Sequence, residues 1–206
     1  MFARTTTVRV DPQALDDLVA TVRDEVMPMV TEMDGCVGLS LLVDRDDGRA
    51  VVTSSWETEE AMRASADRVA ASRDRTAQRF GATPEVREWE IAVLHRAHRV
   101  GDGACARVTW TRTDPGNLDR VVDAYRESLM PWWERTDGFC SNSLLVDARE
   151  GRCASAVVFD SRDAMAHTRD QFTTLREEFT QRMGMDILEV AEFDIALAHL
   201  RVPETV

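Results

Sequence analysis

The segment from Asp34 to Met62, DGCVGLSLLVDRDDGRAVVTSSWETEEAM, returns from Asp137 to Met165 as DGFCSNSLLVDAREGRCASAVVFDSRDAM. The offset is 103 residues at both ends (137 − 34 and 165 − 62). A constant offset across a turn, a strand, a hairpin, a second strand and a helix start means one folding unit present twice. Any fold assigned to this chain must therefore be built from two like halves.

The first half reads as β-α-β-β-α-β. A strand runs over about Ala3 to Val10, with Thr and Val at β-favoured positions. Asp11-Pro12 starts a helix, Asp as the cap and Pro where a missing N–H costs nothing. Leu15, Leu18, Val19, Val22, Val26, Met29 and Met33 form one apolar stripe on a helix from about residue 13 to 33, with a kink or break expected at Pro28. Strands follow at about Cys36 to Asp44 and Arg49 to Trp56, joined by the turn Arg45 to Gly48. Thr58 caps a second helix that ends at Gly81, and a fourth strand covers about Val86 to His95.

The second half repeats the scheme. Asp114-Pro115 answers Asp11-Pro12, Met130-Pro131 answers Met27-Pro28, and Glu192 to Ala196 answers Glu88 to Ala92 at an offset of 104. This order is that of a split βαβ, or ferredoxin-like, sheet with two helices on one face. The reading is an α+β chain of two ferredoxin-like repeats, residues 1–97 and 104–201, with a linker at 98–103 and a tail at 202–206. One such sheet leaves a face uncovered, and its strands carry apolar residues on both sides, as at Val51-Val52 and Val157-Val158. The expectation is that the two sheets pack on each other as a pseudo-dimer within one chain. Further pairing into a homodimer stays open.

The net charge of -12 argues against a nucleic-acid partner, because a polyanion is bound through Lys and Arg. All 25 basic residues are Arg, a bias of GC-rich coding. The N-terminal MFARTTTVRV lacks the apolar centre of a signal peptide, and no apolar run approaches the roughly 18 residues of a membrane span. The expectation is a cytoplasmic protein with no membrane partner. Cys36, Cys105, Cys140 and Cys153 form no CxxC pair and differ in position between the repeats. They read as reduced, mostly buried thiols, with no metal site expected.

Asp34-Gly35, Leu41 to Asp44, Asp46 to Gly48, Trp56-Glu57 and Glu60-Ala61 together resemble the antibiotic biosynthesis monooxygenase domain family. The resemblance covers nearly the whole chain as a tandem duplication. It implies the dimeric α+β barrel, made here within one chain. It also implies a class that includes cofactor-independent oxygenases of polycyclic phenols and quinols, and proteins that bind and degrade haem. In both branches a Trp at the end of strand three lines the pocket, and Trp56 holds that position. The haem branch adds an Asn on strand one and a His on helix two. Repeat one has Thr5, Thr6 and Thr7 on strand one, and Ser65 and Asp67 on helix two. Repeat two has His167, but Phe159-Asp160 where Trp56-Glu57 stands, and no Asn on strand one. Neither half carries the full haem set.

Each candidate has two readings. Trp56, on the same strand face as Val52 and Ser54, is a pocket wall for a planar ligand or a core aromatic. Arg73 and Arg176 recur at the offset of 103 on apolar stripes, Arg176 beside Phe172 and Phe179. Each could anchor a phenolate or carboxylate, or form an ion pair with a strand carboxylate such as Glu90 or Asp194. The ion pair is preferred. Trp89, Trp110, Phe159 and Arg176 join Val52 and Ser54 as candidate substrate contacts. His95 and His199 end strand four in both repeats, as packing residues or as a base. His167 is a haem ligand, a proton shuttle or a solvated helix residue. Trp132 and Trp133 point about 100° apart on a helix, so at most one is fully core.

No Walker loop, dinucleotide fingerprint, nucleophile elbow or zinc spacing is present. The functional expectation is a cofactor-independent monooxygenase acting on a planar aromatic, polyketide-like small molecule, with Trp56 and Arg73 of repeat one as its catalytic pair. The alternatives are a non-enzymatic small-ligand binder or structural barrel protein, and a haem-binding or haem-degrading protein.

Overall fold

The computed structural model describes residues 1–200, so residue 201 and the tail assigned to 202–206 lie outside the described residues. Repeat one opens with β1 (Phe2–Arg9). The Asp11 carboxylate accepts from the Gln13 N–H, and Pro12 begins a 3-10 turn that leads into α1 (Leu15–Thr21). The predicted helix changes register beyond this point. A π-helical turn (Val22–Val26) follows, in which the Met27 N–H donates to the Val22 carbonyl, and then α2 (Met27–Thr31). Pro28 accounts for the slip. It has no N–H for the Asp24 carbonyl, and its ring would press on that carbonyl in an α register. The wider register relieves the contact and keeps the chain helical, so a π bulge stands where a kink was predicted.

Next come β2 (Cys36–Asp44) and β3 (Arg49–Trp56), and then helix two, which is broken into α3 (Glu59–Ala64) and α4 (Ala66–Arg79) at Ser65. β4 (Glu85–Arg96) closes the repeat. Repeat two copies each step: β5 (Cys105–Arg112), α5 (Leu118–Ala124), a π turn (Tyr125–Leu129) and α6 (Met130–Trp133). It goes on with β6 (Phe139–Asp147), β7 (Arg152–Phe159), α7 (Arg162–His167), α8 (Arg169–Met183) and β8 (Asp186–Leu200). The strands hydrogen-bond in the order β1-β3-β2-β8-β5-β7-β6-β4 and close into an antiparallel barrel. The fold class is thus two ferredoxin-like repeats in one α+β barrel.

The compact units do not coincide with the sequence repeats. The first unit takes residues 1–90 with the end of β8 from Phe193, which pairs with β2. The second takes Ile91 to Glu192, including the end of β4. A long last strand makes this division, because each of β4 and β8 outruns its own repeat's partner strand.

Two glycine contacts explain the motifs that carry the family resemblance. Gly48 in the hairpin has φ of 63°, and a Cβ there would lie 2.1 Å from the Val10 carbonyl oxygen. Gly35 has φ of 73°, and its added Cβ would meet the Ala61 Cβ at 2.6 Å. The Asp-Gly turn and the Glu-Ala helix start therefore record one close packing contact. Gly138 and Ala164 repeat it at the same distance.

A buried arginine on the first strand holds each repeat together. Arg4 donates from Nε and Nη2 to Glu88 on β4, from Nη1 to Ser65 Oγ, and from Nη2 to the Met62 carbonyl. Arg107 makes the same four bonds to Glu192, Thr168 and the Met165 carbonyl. Breaking helix two at Ser65 or Thr168 frees the carbonyl that the guanidinium reads. These strand carboxylates, not Glu90 or Asp194, are the ones used, and they pair with Arg4 and Arg107, not with Arg73 and Arg176.

Replacing Arg107 by Met strands a half-buried carboxylate, a hydroxyl and a carbonyl. We expect a loss of about 3 kcal/mol in a denaturant titration. Arg4→Met should cost about 2 kcal/mol, because Glu88 is nearly half exposed and water can replace its partner. Equal or negligible losses would contradict the assignment.

Candidate functional site

Each unit has a cavity between its sheet and its two helices, at matching positions. In the first unit the cavity measures about 60 Å³. β1 supplies Arg4, Thr6 and Val8, β3 supplies Val52 and Ser54, and the π turn supplies Val22 and Val26. From α4 come Val69, Arg73, Thr76 and Ala77, with Phe80 following. The wall is almost all aliphatic. Its polar groups are two guanidinium ends, two threonine hydroxyls and Ser54. Among the described residues that line it there is no carboxylate and no imidazole.

In the second unit the equivalent cavity is about 40 Å³. Where repeat one has Val22, Val30, Val69 and Thr76, repeat two has Tyr125, Trp133, Phe172 and Phe179. The rings pack on one another: Trp133 lies 5.0 Å from Phe172 and 5.9 Å from Phe159, and Tyr125 meets Phe179 edge-on at 6.3 Å. The rings narrow the cavity of repeat two to about two thirds of that in repeat one. What is left there is mostly apolar, with a few polar groups on its wall. The hydroxyls of Tyr125 and Ser155 lie 2.8 Å apart, and Asn142 Nδ2 donates to Tyr125 at 3.3 Å. Among the described residues, Thr109 Oγ1 and Arg176 Nε are buried with no hydrogen-bond partner.

The arginine pair divides in the same way. Arg73 donates from Nε to the exposed Asp74 at 3.0 Å, and its side chain is 23% exposed. Arg176 lies over the Phe172 ring at 5.4 Å and has no ion pair among the described residues. Burial lowers its pKa, nearby Glu177 opposes that, and Arg107 adds to it.

Trp56 faces the helices with Val52 and Ser54, as predicted, but it is fully buried and does not line the cavity. It acts at one remove: its indole N–H donates to Ser54 Oγ at 3.1 Å, and Ser54 is on the cavity wall. Phe159, its counterpart, is a fully buried core ring. Trp89 sits opposite Ala3 on the other sheet face and donates to Thr5 Oγ1 at 2.9 Å. Trp110 pairs with Ala154, also on the face away from the cavity.

The histidines do not share one role. His95 stacks on Phe139 at 6.1 Å with Nε2 3.4 Å from Glu134, whereas His199 is exposed opposite Leu39. His167 is exposed, its Nδ1–H bonded to the Asp163 carbonyl at 2.7 Å, beside an open groove with Trp132, Arg135 and Asp137. Trp133 is the core member of its pair and Trp132 the half-buried one.

The structure also assembles residues that the sequence reading passed over. Arg4 and Arg107 were legible as the one charged side chain at a helix-facing position of each first strand, at the offset of 103. The π turns carried a signal in Pro28 and Pro131. The aromatic filling could be read by laying the repeats over each other. The group His98, Cys140 and Asp160 carried no such signal, its members being spread over 62 residues.

These geometries define a member of the α+β barrel class with a cavity in each half. The sequence profile of the antibiotic biosynthesis monooxygenase family matches residues 1–73. Two Mycobacterium tuberculosis proteins of uncharacterised role are 50% and 52% identical to this chain over its full length, which spans 92% and 88% of theirs. The fold is shared with an anthrone oxidase-like protein at 15% identity, TM-score 0.71, covering 99% of this chain and 95% of that one. It is shared also with a haem-degrading enzyme of Listeria monocytogenes at 10% identity, TM-score 0.53, with 93% of this chain and 98% of that one covered. The chain belongs to the antibiotic biosynthesis monooxygenase family as a tandem-repeat member. No helix among the described residues is long and apolar enough to cross a membrane.

Tyr125 is the chain's one tyrosine, so its titration can be read directly. Burial pushes its pKa up to about 12, against a smaller opposing effect of the Ser155 bond. The fold favours the protonated phenol. That stabilisation is complete below pH 10 and lost as pH rises towards 12. Tyrosinate absorbance of the folded protein is expected near pH 12, moving to about 10 in denaturant. A folded titration near 10 would show the second cavity to be open to water.

Proposed function

We propose that repeat one is the working half of a monooxygenase that needs no resident cofactor, and that its substrate is a small planar aromatic with an acidic hydroxyl or methylene group. The observation that carries this is the difference between the halves: an aliphatic slot bearing Arg4 and Arg73 in repeat one, narrowed by aromatic rings in repeat two. The ring system would lie between the π turn, Val52 and Val69. The conjugate anion would face Arg73, with Arg4 behind it, in a site where few waters screen the attraction. About 60 Å³ is under half of the roughly 150 Å³ that holds a benzene, so ring entry has to displace side chains such as Met29 and Phe80.

The chemistry then resides in the substrate. Arg73 stabilises the anion, and the anion gives electrons to O2. One oxygen atom stays on the carbon as a carbonyl, and the other leaves as water with the two hydrogens that the carbon loses. The proton passes to water, since no acid–base side chain of the described residues lines the cavity. Trp56 is a positioning residue that fixes Ser54.

That same lack of a base on the cavity wall favours a second reading, a small-ligand binder without turnover. A haem reading has less support: the groove that His167 borders mixes Trp132 and Ala164 with Arg135, Asp137 and Gln171, and neither first strand carries an Asn.

Oxygen uptake with naphthols, anthrones and quinols tests the proposal. Val69→Phe, which copies repeat two, should abolish binding and uptake, while Phe172→Val should leave both unchanged. Arg73→Leu should lower kcat/KM by about tenfold or more. Trp56→Phe removes one hydrogen bond and should cost roughly fivefold. Binding without protein-dependent uptake would establish the binder reading. Neither binding nor uptake would overturn both.

A further inference from the structure

We propose that His98, Cys140 and Asp160 form a zinc-type divalent metal site with an open fourth position. The site lies in the second unit, apart from either cavity. His98 Nε2 is 2.8 Å from Asp160 Oδ1, and Cys140 Sγ is 3.1 Å from the same oxygen. The three donor atoms lie within 4.8 Å of one another.

Three separate pieces of backbone bring them there. His98 follows β4 and is clipped to Cys140 itself: the Ala97 and His98 N–H groups both donate to the Cys140 carbonyl, at 2.8 and 3.4 Å. Cys140 is the extra residue of a β-bulge, because Phe139 pairs with Phe159 and Ser141 with Val158. Bulges re-aim side chains and recur beside functional sites. Asp160 follows β7, with its N–H on the Gly138 carbonyl at 2.9 Å. Repeat one has the same bulge between Cys36 and Gly38. Its matching residues are Val37 and Glu57, and nothing answers His98. The fold therefore does not require this trio.

The donor chemistry selects the ion. Thiolate, imidazole and carboxylate are the zinc ligands, and three protein donors leave a position for water or substrate. Thiolate and carboxylate together cancel a 2+ charge, so bound metal adds no net charge to a half-buried place. Tetrahedral donors around zinc sit about 3.3 to 3.8 Å apart, so the trio has to open by a few tenths of an ångström. His98 and Asp160 are both exposed and free to do so. A hydrolytic Cys–His–Asp arrangement is a poor match. The carboxylate stands between thiol and imidazole, so His98 cannot take the Cys140 proton.

The test uses the full chain stripped with chelator and titrated with Zn2+ by calorimetry and with Co2+ by absorption. One ion per chain is expected, with a thiolate-to-cobalt charge-transfer band. His98→Ala, Asp160→Asn and Cys140→Ser should each weaken binding by at least about tenfold. Cys140→Ser should also remove the band, and His167→Ala should change nothing. Circular dichroism checks the buried Cys140 variant for folding, and the exposed His98 variant decides if that one fails. No saturable binding, binding indifferent to His98→Ala, or cobalt binding without the band would overturn the site and leave a simple His98–Asp160 ion pair.

Discussion

Each half of this protein rests on a guanidinium buried behind its sheet. Arg4 and Arg107 each join the first strand, the last strand's carboxylate and a deliberate break in the second helix. An unpaired charge in that position would be costly, so helix two has to expose a carbonyl and a hydroxyl at Ser65 and at Thr168. With those ends fixed, the two helices stand off the sheet at a set distance. The cavity is the space this leaves, and Arg4 forms one of its walls.

What fills that space differs between the halves. Aliphatic side chains and one threonine leave it open in repeat one, and four aromatic residues at the same positions occupy it in repeat two. The remnant in repeat two is smaller and keeps Tyr125, Ser155 and Thr109 on its wall. The bulge at Cys140 in repeat two carries a different chemistry again.

The fold was legible because periodicity, turn residues and the repeat all pointed one way. Gly35 against Ala61 and Gly48 against Val10 are contacts that tolerate no other residue, so the motifs they leave are strong and say nothing of activity. The site was less legible. Trp56 holds the family position yet reaches the cavity only through Ser54, since a strand's alternation gives its face but not its depth. Arg73 was read as paired with a strand carboxylate, but it donates to Asp74 on its own helix, while the strand carboxylates Glu88 and Glu192 bind Arg4 and Arg107. The helix break and the π turns are answers to local conflicts, the buried cation and Pro28, and no apolar stripe reveals them. His98, Cys140 and Asp160 meet only through strand pairing and a bulge, which spacing along the chain cannot show.

Of the two equivalent cavities, the wider one in repeat one is the one proposed to admit an apolar guest. A crystal structure under xenon pressure tests it most directly, since xenon enters small apolar cavities without needing polar contacts. Xenon is expected among Val22, Val26, Leu39 and Val69, and not among Tyr125, Trp133, Phe172 and Phe179. Equal occupancy of both cavities, or xenon in the second alone, would contradict it.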